Sequence, residues 1–527
     1  MKNYILIVSI LSCFVSCKSS HQNESENATK TTASPLEYGN TITSSELKDL
    51  LYTYASDEFE GRETGEPGQK KAVEFLKQQY LTLGISSPPS ETDYFQDVPL
   101  VKQFVPEIEF ILNGESATMF DEFVSVGTAD TQVFTADEIV YVGYGIETDS
   151  YSDYNNIDVK NKVVLIKAGE AQNKDGTYVT SGATDETVWS SGRRARNAKR
   201  DIAKEKGAKA VLVVDNLAHA YYSKYYSKLA ESGKSGRVSL VTKDKNMLMF
   251  LISEALGQSM FREILTSNSA QIIKTDLSLT IKNKTEPVSS ENVVAFIKGS
   301  EKPNEFIVVS AHLDHEGIRG ENIYNGADDD GSGTVALLEM AEAFQTAVKN
   351  GDTPKRSIVF LHVTAEERGL LGSRHYTDND PIFPLEQTVA NLNIDMIGRV
   401  DKLHTEDRNY VYAIGSDRLS EELKVISEVA NNTYTKITLD YRYDDEKDKN
   451  RYYYRSDHYN FAKHNVPVIF YFNGSHDDYH KPTDTPDKIE YDLLENRTRL
   501  VFYTAWELAN REDRITVDEK HTVKTSE

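Results

Sequence analysis

The chain of 527 residues contains only two cysteines, and both lie in its first 17 residues, Cys13 and Cys17. The rest of the chain therefore has no thiol, which excludes disulfides and thiolate metal ligands from its body. Any metal site there must be built from histidine, aspartate and glutamate side chains.

Basic residues are also scarce: 59 Lys and Arg stand against 83 Asp and Glu, a formal net charge of -24. Affinity for nucleic acid comes mostly from the neutralisation of phosphates by basic side chains. The one strongly basic helical pattern, "RRARNAKRDIAKEKGA", is interpreted as a solvated helix face rather than a nucleic-acid arm. We therefore expect no nucleic-acid partner.

The first residues, "MKNYILIVSILSCFVSC", combine Lys2 with an apolar run that is too short to span a bilayer, which needs about 20 apolar residues. This pattern predicts an export signal. The end "FVSC" before "KSS" resembles a bacterial lipoprotein signal, in which Cys17 would carry the lipid, although Phe14 departs from the usual small aliphatic residue. We expect a lipoprotein of a bacterial envelope whose membrane contact is through Cys17, and simple secretion or a periplasmic location remains the alternative.

The length and the changes of composition predict two domains or one domain with a large insertion. A polar tether precedes the helical pattern "SSELKDLLYTYAS", for which Ser44 or Ser45 is the expected cap. A region of short strands then predicts a smaller inserted domain, α/β or rich in β-strands. The predicted segments are a signal (1–17), a tether (18–42), the helical start of the main domain (43–92), the insert (93–285), the rest of the main domain (286–511) and a polar tail (512–527).

The main part alternates continuous apolar strands with helices, as in "EFIVVSA", "TVALLEMAEAFQTAV" and "RSIVFLHVT". Strands that are apolar along their whole length are typical of a sheet covered on both faces. The sequence therefore predicts an α/β fold with a mixed, mostly parallel sheet flanked by helices.

Five polar segments each follow the end of a predicted strand: "AHLDH", "NGADDDGSG", "TAEERGLLGS", "NIDMIG" and "DDYHKPTDT". Ligands of open α/β sheets lie beyond the carboxyl ends of the strands, so these segments can meet. Histidine and carboxylate ligands suit Zn²⁺, and two ions that share a bridging carboxylate can activate one water. Adjacent acids such as Glu366 and Glu367 could then supply one ligand and one general base.

In this order, the five motifs resemble the co-catalytic zinc aminopeptidases, whose family also contains glutamate carboxypeptidase and the transferrin receptor ectodomain. The resemblance covers residues 43–88 and 286–511, and the middle block resembles the protease-associated domain that some members carry. It implies a metallopeptidase with two Zn²⁺ ions as cofactors and peptides as substrates. Its oligomeric state and its preferred side chain are not readable from the sequence.

The resemblance also implies a set of metal ligands. His312 and Asp395 would bind one zinc ion, Glu367 and His480 would bind the other, and Asp329 would bridge the two.

It further implies three residues that act on the substrate or on a ligand. Glu366 would be the general base that takes a proton from the attacking water and returns it to the leaving amine. Asp314 would orient His312. Tyr479 matches a tyrosine that donates a hydrogen bond to the oxyanion in some members.

The stretch "NGADDDGSG" has a second interpretation as a calcium-binding loop between two helices. The matching positions are Asp328, Asp330, Ser332, Gly333, Val335 and Glu339. The preceding segment "EGIRGENIYNGA" is rich in glycine and follows a strand, which argues against the entering helix that such a loop requires.

Three further alternatives concern activity. A carboxypeptidase of the same fold would need a cation for the substrate carboxylate, and Arg399, Arg451 and Arg455 are candidates by position. A binding module without activity would lack some of the metal ligands, whereas this chain has all five metal ligands that the resemblance implies and also Glu366. A serine hydrolase built on Ser332 would need the G-x-S-x-G turn, which is missing there.

The three consecutive aspartates are expected to divide their roles. Asp329 would bridge the metals, whereas Asp328 and Asp330 would support the site or cap the following helix. We therefore expect Asp329→Ala to lose both metals and Asp330→Ala to keep them.

Overall fold

The structure is a computed structural model that describes residues 34–127, 130–233, 236–241 and 247–518. The predicted signal with Cys17 and the last residues of the predicted tail lie outside the described residues. Within the described ranges, no helix is both long enough and apolar enough to cross a membrane.

The described chain begins with three α-helices, continues with runs of consecutive strands in the insert, and then combines strands and helices in the main domain. The strands are β1 (Phe95–Asp97), β2 (Leu100–Gln103), β3 (Glu107–Leu112), β4 (Glu115–Ala117), β5 (Phe123–Ser125), β6 (Gln132–Tyr141), β7 (Val163–Lys167), β8 (Ala210–Val214), β9 (Arg237–Leu240), β10 (Leu248–Ile252), β11 (Gln271–Lys282), β12 (Thr285–Val288), β13 (Glu291–Ile297), β14 (Lys302–His312), β15 (Gly317–Arg319), β16 (Asn322–Tyr324), β17 (Arg356–Val363), β18 (Thr388–Ile394), β19 (Tyr410–Ile414), β20 (Thr438–Asp440) and β21 (Val468–Phe472). The α-helices are α1 (Pro35–Gly39), α2 (Ser44–Tyr54), α3 (Pro67–Leu83), α4 (Gly192–Glu205), α5 (Asn216–Ser232), α6 (Glu254–Met260), α7 (Gly333–Lys349), α8 (Leu371–Arg374), α9 (Glu421–Ala430), α10 (His458–Ala462) and α11 (Tyr491–Asn510).

The main domain is built on an eight-stranded sheet in the order β1-β13-β17-β14-β18-β21-β19-β20. Its four central strands, β17, β14, β18 and β21, run parallel to one another. The pairs β1–β13, β13–β17 and β19–β21 are antiparallel. The predicted mixed, mostly parallel sheet is therefore confirmed.

Both faces of this sheet are buried, as the continuous apolar strands predicted. In β14, Ile307 and Val309 belong to one buried cluster, whereas Phe306 and Val308 belong to another on the opposite face. The first cluster includes residues of α2, α3, α7 and α11, and the second includes Phe461 of α10. Because successive side chains of a strand point to opposite faces, this division places helices on both sides of the sheet.

The inserted segment forms a separate eight-stranded sheet in the order β4-β3-β11-β6-β7-β8-β10-β5. Its helices include α4, which coincides with the predicted basic helix, and α5. A small antiparallel sheet of β12, β2 and β9 lies at the joint between insert and main domain. The predicted insert that is rich in β-strands is thus observed.

Three local predictions differ from the structure. Part of the predicted tether is folded, because α1 packs on the main domain and Tyr38 and Ile42 are buried. Strand β1, placed by the sequence in the insert that starts at 93, pairs with β13 of the main sheet. The cap of α2 is Thr43, whose hydroxyl accepts a hydrogen bond from the Glu46 amide, and not Ser44 or Ser45.

Candidate metal centre

The polar motifs meet at one edge of the main sheet because the four central strands are parallel neighbours. His312 is the last residue of β14, and Asp395 directly follows β18. Glu366 and Glu367 follow β17, and His480 lies in the loop after β21. The carboxyl ends of these strands therefore bring together residues that are far apart in the sequence.

Asp329 occupies the middle of this group. Its Oδ1 lies 3.1 Å from Nε2 of His312, and its Oδ2 lies 3.0 Å from Nε2 of His480. The side chain is 4% exposed, so this carboxylate faces two imidazoles from within the protein. This position between two imidazoles is compatible with the bridging role that the resemblance implies for Asp329.

The other implied ligands complete the two halves of the centre. Nε2 of His312 lies 3.6 Å from Oδ1 of Asp395, and Nε2 of His480 lies 3.3 Å from Oε2 of Glu367. Ligand atoms about 2.1 Å from a tetrahedral zinc ion stand about 3.4 Å from one another. The observed separations therefore fit two zinc ions that share Asp329.

The hydrogen bonding of these atoms also fits metal ligands. Among the described residues, Nε2 of His312, Oδ2 of Asp329 and Oε1 of Glu367 are buried and make no hydrogen bond of regular geometry, although each faces another side chain of the centre within 3.1 Å. Buried polar atoms usually have a partner, and an ion would supply one here. Burial lowers the pKa of His480, but the neighbouring carboxylates of Asp329 and Glu367 outweigh it and raise that pKa to about 10. The centre therefore carries an excess of negative charge that suits cations.

Asp314 lies beside His312, but its backbone makes the contact. Nδ1 of His312 donates to the Asp314 carbonyl oxygen over 2.9 Å, which leaves Nε2 free to act as a ligand. The nearer Asp314 carboxylate oxygen is 4.0 Å from Nδ1. That carboxylate instead accepts hydrogen bonds from the Glu366 amide and the Thr64 hydroxyl. Asp314 thus positions both His312 and Glu366, through different atoms.

Sequence reasoning assigned no role to His315, which the structure places in the centre. Its Nδ1 lies 2.8 Å from Oε1 of Glu367 and 3.8 Å from Oδ2 of Asp329, and its ring is fully buried. His315, Asp329 and Glu367 form one group of possible ligands, and Glu316 joins Glu367 and His480 in another. The available signal was the second histidine of "AHLDH", three residues after His312.

Glu366 and Tyr479 border the space beside the ligands. Both line a small cavity of about 30 Å³ together with Asp329 and Asp395. Burial raises the pKa of Glu366 well above its usual value, a change that suits a general base. Burial and the nearby carboxylates of Asp329 and Glu367 also raise the pKa of Tyr479, so its hydroxyl stays protonated and can donate.

The two flanking aspartates bind backbone amides and not the proposed ions. Asp330 accepts hydrogen bonds from the amides of His312, Gly333 and Met396. Because Gly333 begins α7, Asp330 pairs with one free amide at the start of that helix, although the residue at the cap position is Ser332, whose side chain makes no capping hydrogen bond.

Asp328 is held in a similar way. It accepts a hydrogen bond from the Gly398 amide over 2.6 Å, and its second oxygen lies 3.2 Å from Nε2 of His476. The expected division of roles among the three aspartates therefore agrees with their contacts.

A buried arginine holds the two loops that carry the histidines and the aspartates. Arg62, which is 1% exposed, donates to the carbonyl oxygens of Leu313, Asn325 and Gly326. Gly326 itself has a φ of +53°, and a Cβ there would lie 2.1 Å from the Asp329 carbonyl oxygen. The segment 325–333 therefore needs glycine at this position for its approach to the centre.

The calcium-loop interpretation of this segment is wrong. The element before it is the hairpin of β15 and β16 and not a helix, and α7 begins inside the proposed loop, at Gly333. Asp330 points at backbone amides. These features contradict a helix-loop-helix site.

The three arginines considered for a carboxylate pocket differ in their surroundings. Arg399 is paired with Asp478 at 3.0 Å, and Arg451 lies over the Tyr454 ring. Arg455 lines the small cavity next to Glu366 and stacks over Tyr452. Only this last arginine is placed near the reacting centre by these contacts.

Comparisons with known proteins agree with this geometry. Residues 292–505 match the model of peptidase family M28, and residues 135–260 match that of the PA domain. Aminopeptidase NAALADL1 of Mus musculus is 34% identical over 122 residues, which are 23% of this chain and 15% of that protein. The probable glutamate carboxypeptidase LAMP1 of Arabidopsis thaliana is 32% identical over 119 residues, which are 23% of this chain and 16% of that protein.

The chain thus spans about one sixth of the length of these two curated relatives. A solved structure of an aminopeptidase from Aneurinibacillus sp. strain AM-1 is 19% identical, with a TM-score of 0.48, and the match covers 92% of this chain and 98% of that one.

Proposed function

Because the chain carries a domain of peptidase family M28 and a PA domain, we propose that it is a dizinc aminopeptidase that removes N-terminal residues from peptides. One observation carries the proposal: the Asp329 carboxylate lies between the ring nitrogens of His312 and His480, and Glu366 lines the same cavity. A water and a peptide bond that enter this cavity would meet the ligands and the base together.

Each ion would have its own ligands beside the shared carboxylate. His312 and Asp395 would hold one, Glu367 and His480 the other, and His315 is close enough to Glu367 to join the second set. When bound, two zinc ions polarise a carbonyl group and increase the acidity of water at neutral pH.

The remaining chemistry falls to this chain's own side chains. Glu366, whose amide is held by the Asp314 carboxylate, accepts the proton of the attacking water and passes it to the departing amine. Its raised pKa lets it hold that proton between the two transfers. Tyr479, kept protonated by its surroundings, donates a hydrogen bond to the oxygen on which negative charge develops.

Metal dependence tests the proposal directly. The protein is treated with a chelator, dialysed, and assayed on aminoacyl anilides before and after the addition of zinc. We expect activity to vanish and then return, with two zinc ions bound per chain by mass spectrometry. Activity that survives complete metal removal would refute the proposal.

The role of Glu366 is tested by Glu366→Gln. The amide has nearly the same shape but cannot accept the proton, so we expect kcat to fall at least about a hundredfold. Zinc content should stay unchanged because Glu366 is not a proposed ligand. A matched control is Glu109→Gln, an exposed change in the insert sheet, which should leave kcat unchanged. Near-normal turnover of Glu366→Gln would exclude the general-base role.

A carboxypeptidase is the second candidate, and Arg455 is the observation that favours it. This arginine lines the small cavity beside Glu366 and also a second cavity, of about 460 Å³, that Glu366 borders, and there it could bind a free substrate carboxylate. Peptides with a free amine and a blocked carboxylate are compared with peptides of the opposite design. Cleavage of the first set supports the aminopeptidase, and cleavage of only the second set supports the carboxypeptidase.

We also propose, on sequence grounds alone, that the chain is exported and anchored by a lipid on Cys17. The motivation is the apolar start followed by "FVSC". Cys17→Ser should move the protein from the membrane fraction to the soluble exported fraction of a bacterial host. An unchanged distribution would contradict the anchor.

A further inference from the structure

The insert contains a cavity of about 590 Å³ whose walls are basic and aromatic. It lies between α4, α5 and the segment that follows β2. Four arginines line it, namely Arg193, Arg196, Arg200 and Arg237. Four tyrosines line it as well, namely Tyr221, Tyr222, Tyr225 and Tyr226. Such a concentration of positive charge is unusual in a chain whose formal net charge is -24.

Two of the four arginines pair with carboxylates of the insert, and the other two have no such partner among the described residues. Arg196 pairs with Asp215 at 3.0 Å and Arg200 with Asp201 at 2.7 Å. In the described part of the chain, no carboxylate lies within 4.0 Å of the guanidinium of Arg193 or Arg237. Unneutralised guanidinium groups in one cavity favour an anion, which they can bind through two parallel hydrogen bonds.

The tyrosines give the cavity a second recognition feature. Tyr221 and Tyr225 are 67% and 47% exposed, although large aromatic side chains are usually buried. Their rings contact Tyr222 and Tyr226 edge to face, so α5 presents a continuous aromatic surface. Exposed tyrosines together with arginines are typical of surfaces that bind peptides.

Strand β9 links the cavity to the metal centre. Arg237, which lines the cavity, begins β9, and Leu240 at the end of the same strand packs with Ala365 and Leu371, which flank Glu366 and Glu367 in the chain. Arg374 of the main domain lines a second cavity, of about 460 Å³, together with Glu366 and Glu367. A peptide that extends from Glu366 past Arg374 would therefore run towards β9 and the arginines of the insert.

We propose that this insert cavity is a distal subsite that binds acidic side chains of the peptide substrate beyond the bond that is cleaved. The subsite would favour long acidic peptides over short or neutral ones. Since this inference rests on the proposed peptidase function, its test must separate binding from cleavage.

Binding is measured with fluorescent peptides whose N-terminus is acetylated, which an aminopeptidase does not cleave. One peptide carries glutamates in its C-terminal half, and the other carries glutamines at the same positions. The full chain, loaded with zinc, is compared with the double variant Arg193→Gln/Arg237→Gln. We expect the glutamate peptide to bind at least about tenfold more weakly to the variant, as the loss of one charge-assisted contact would cause. The glutamine peptide should be unaffected.

A matched control removes the same charge elsewhere on the insert. Arg194 lies on α4 and Arg262 follows α6; both are exposed and neither lines the cavity. Arg194→Gln/Arg262→Gln should bind both peptides as the unchanged protein does. Equal losses of affinity for the glutamate peptide in the two double variants would mean that only net charge matters, which would overturn the subsite. Equal affinity of the unchanged protein for both peptides would also overturn it. Tighter binding of inorganic phosphate or of anionic lipid vesicles than of the acidic peptide would also overturn it.

Kinetics then place the subsite relative to the cleaved bond. Peptides with a free amine carry one glutamate at successive positions from the third residue onward. In the unchanged protein, kcat/KM should rise at one or two of these positions, and the rise should disappear in Arg193→Gln/Arg237→Gln. Activity on an aminoacyl anilide should be the same in both proteins, because that substrate does not reach the insert. If neither protein cleaves any peptide while the difference in binding persists, the proposed peptidase function is refuted and the proposed subsite is not.

Discussion

Asp330 is expected to act as a structural anchor whose loss unfolds the site, whereas Asp329 is expected to act through the metals alone. The Asp330 carboxylate is fully buried and accepts hydrogen bonds from three backbone amides, those of His312, Gly333 and Met396. These amides belong to β14, to the start of α7 and to the segment after β18. The substitution Asp330→Ala therefore breaks contacts among three elements that carry the site.

The expected loss of stability follows from the three amides that would have no hydrogen-bond partner. A buried donor without a partner costs about 1–3 kcal/mol, so three such donors would cost several kcal/mol. Relief of a buried charge offsets part of this loss. We expect Asp330→Ala to lower the free energy of unfolding by at least about 3 kcal/mol even without zinc. The expectation from the sequence, that Asp330→Ala keeps both metals, has to be revised because the amide of His312 loses its anchor.

Asp329→Ala should behave differently. Its carboxylate faces the ring nitrogens of His312 and His480, and in the described chain no backbone amide donates to it. In the absence of zinc, the substitution removes the partner of the His312 and His480 rings but leaves no backbone amide unpaired, so we expect it to lower the free energy of unfolding by less than Asp330→Ala does. With zinc, it should lose both ions.

Urea unfolding in the presence of a chelator measures the first effect, and zinc content by mass spectrometry measures the second. The two substitutions at neighbouring positions serve as controls for each other, since each removes one carboxylate from the same turn. An Asp330→Ala protein with an unchanged urea midpoint in chelator would refute the anchoring role. Retention of two zinc ions by Asp329→Ala would refute the bridge.

Three further predictions address other parts of the chain. Gly326→Ala should abolish zinc binding or folding, because its Cβ would lie 2.1 Å from the Asp329 carbonyl oxygen; a variant with two zinc ions and normal activity would contradict this. His315→Ala should weaken zinc at the Glu367 side more than at the His312 side, and unchanged zinc affinity by competition with a chelator would exclude His315 as a ligand. Burial raises the pKa of Glu339 from 4.5 to about 8, so the folded protein holds this proton to higher pH than the unfolded chain does. Stability should therefore fall by up to about 1.4 kcal/mol per pH unit between about pH 4.5 and 8. Glu339→Gln should remove this fall, giving urea midpoints close to the unchanged protein at pH 5 and higher at pH 8; equal midpoints at both would contradict it.

Much of the site was predictable because the sequence order of the strands carries spatial information. Parallel strands end at one edge of a sheet, so polar segments that follow apolar strands point to one place. His312, Asp395 and Glu367 follow this rule and lie together as expected. The separation of Asp328 and Asp330 from Asp329 was also predicted, but from the premise of an extended segment, whereas residues 327–332 form a helical turn in which only Asp329 and Asp330 depart from helical φ/ψ.

The unpredicted features depend on contacts between distant segments. His315 reaches the centre because Arg62 binds the Leu313 carbonyl and fixes the path of the loop, and this arginine lies about 250 residues earlier in the chain. Local patterns contain no sign of such a contact. The cap of α2 was misplaced for a different reason: Thr43, Ser44 and Ser45 are all good caps, and tertiary packing chooses among them. Likewise, the sheet to which a short strand such as β1 belongs is known only from the strand with which it pairs, here β13.

The run of three aspartates is tolerated because each charge is balanced from a different direction. Asp330 faces three backbone amides, and Asp328 faces the Gly398 amide and the His476 ring. Asp329 faces only imidazoles, and an imidazole that ligates a metal must be neutral. Its charge is therefore balanced by protons on the histidines when metal is absent and by the ions when they bind. Of the three aspartates, Asp329 is therefore the one whose charge is balanced differently with and without metal. Three adjacent carboxylates are tolerated here because the middle one is the proposed metal bridge.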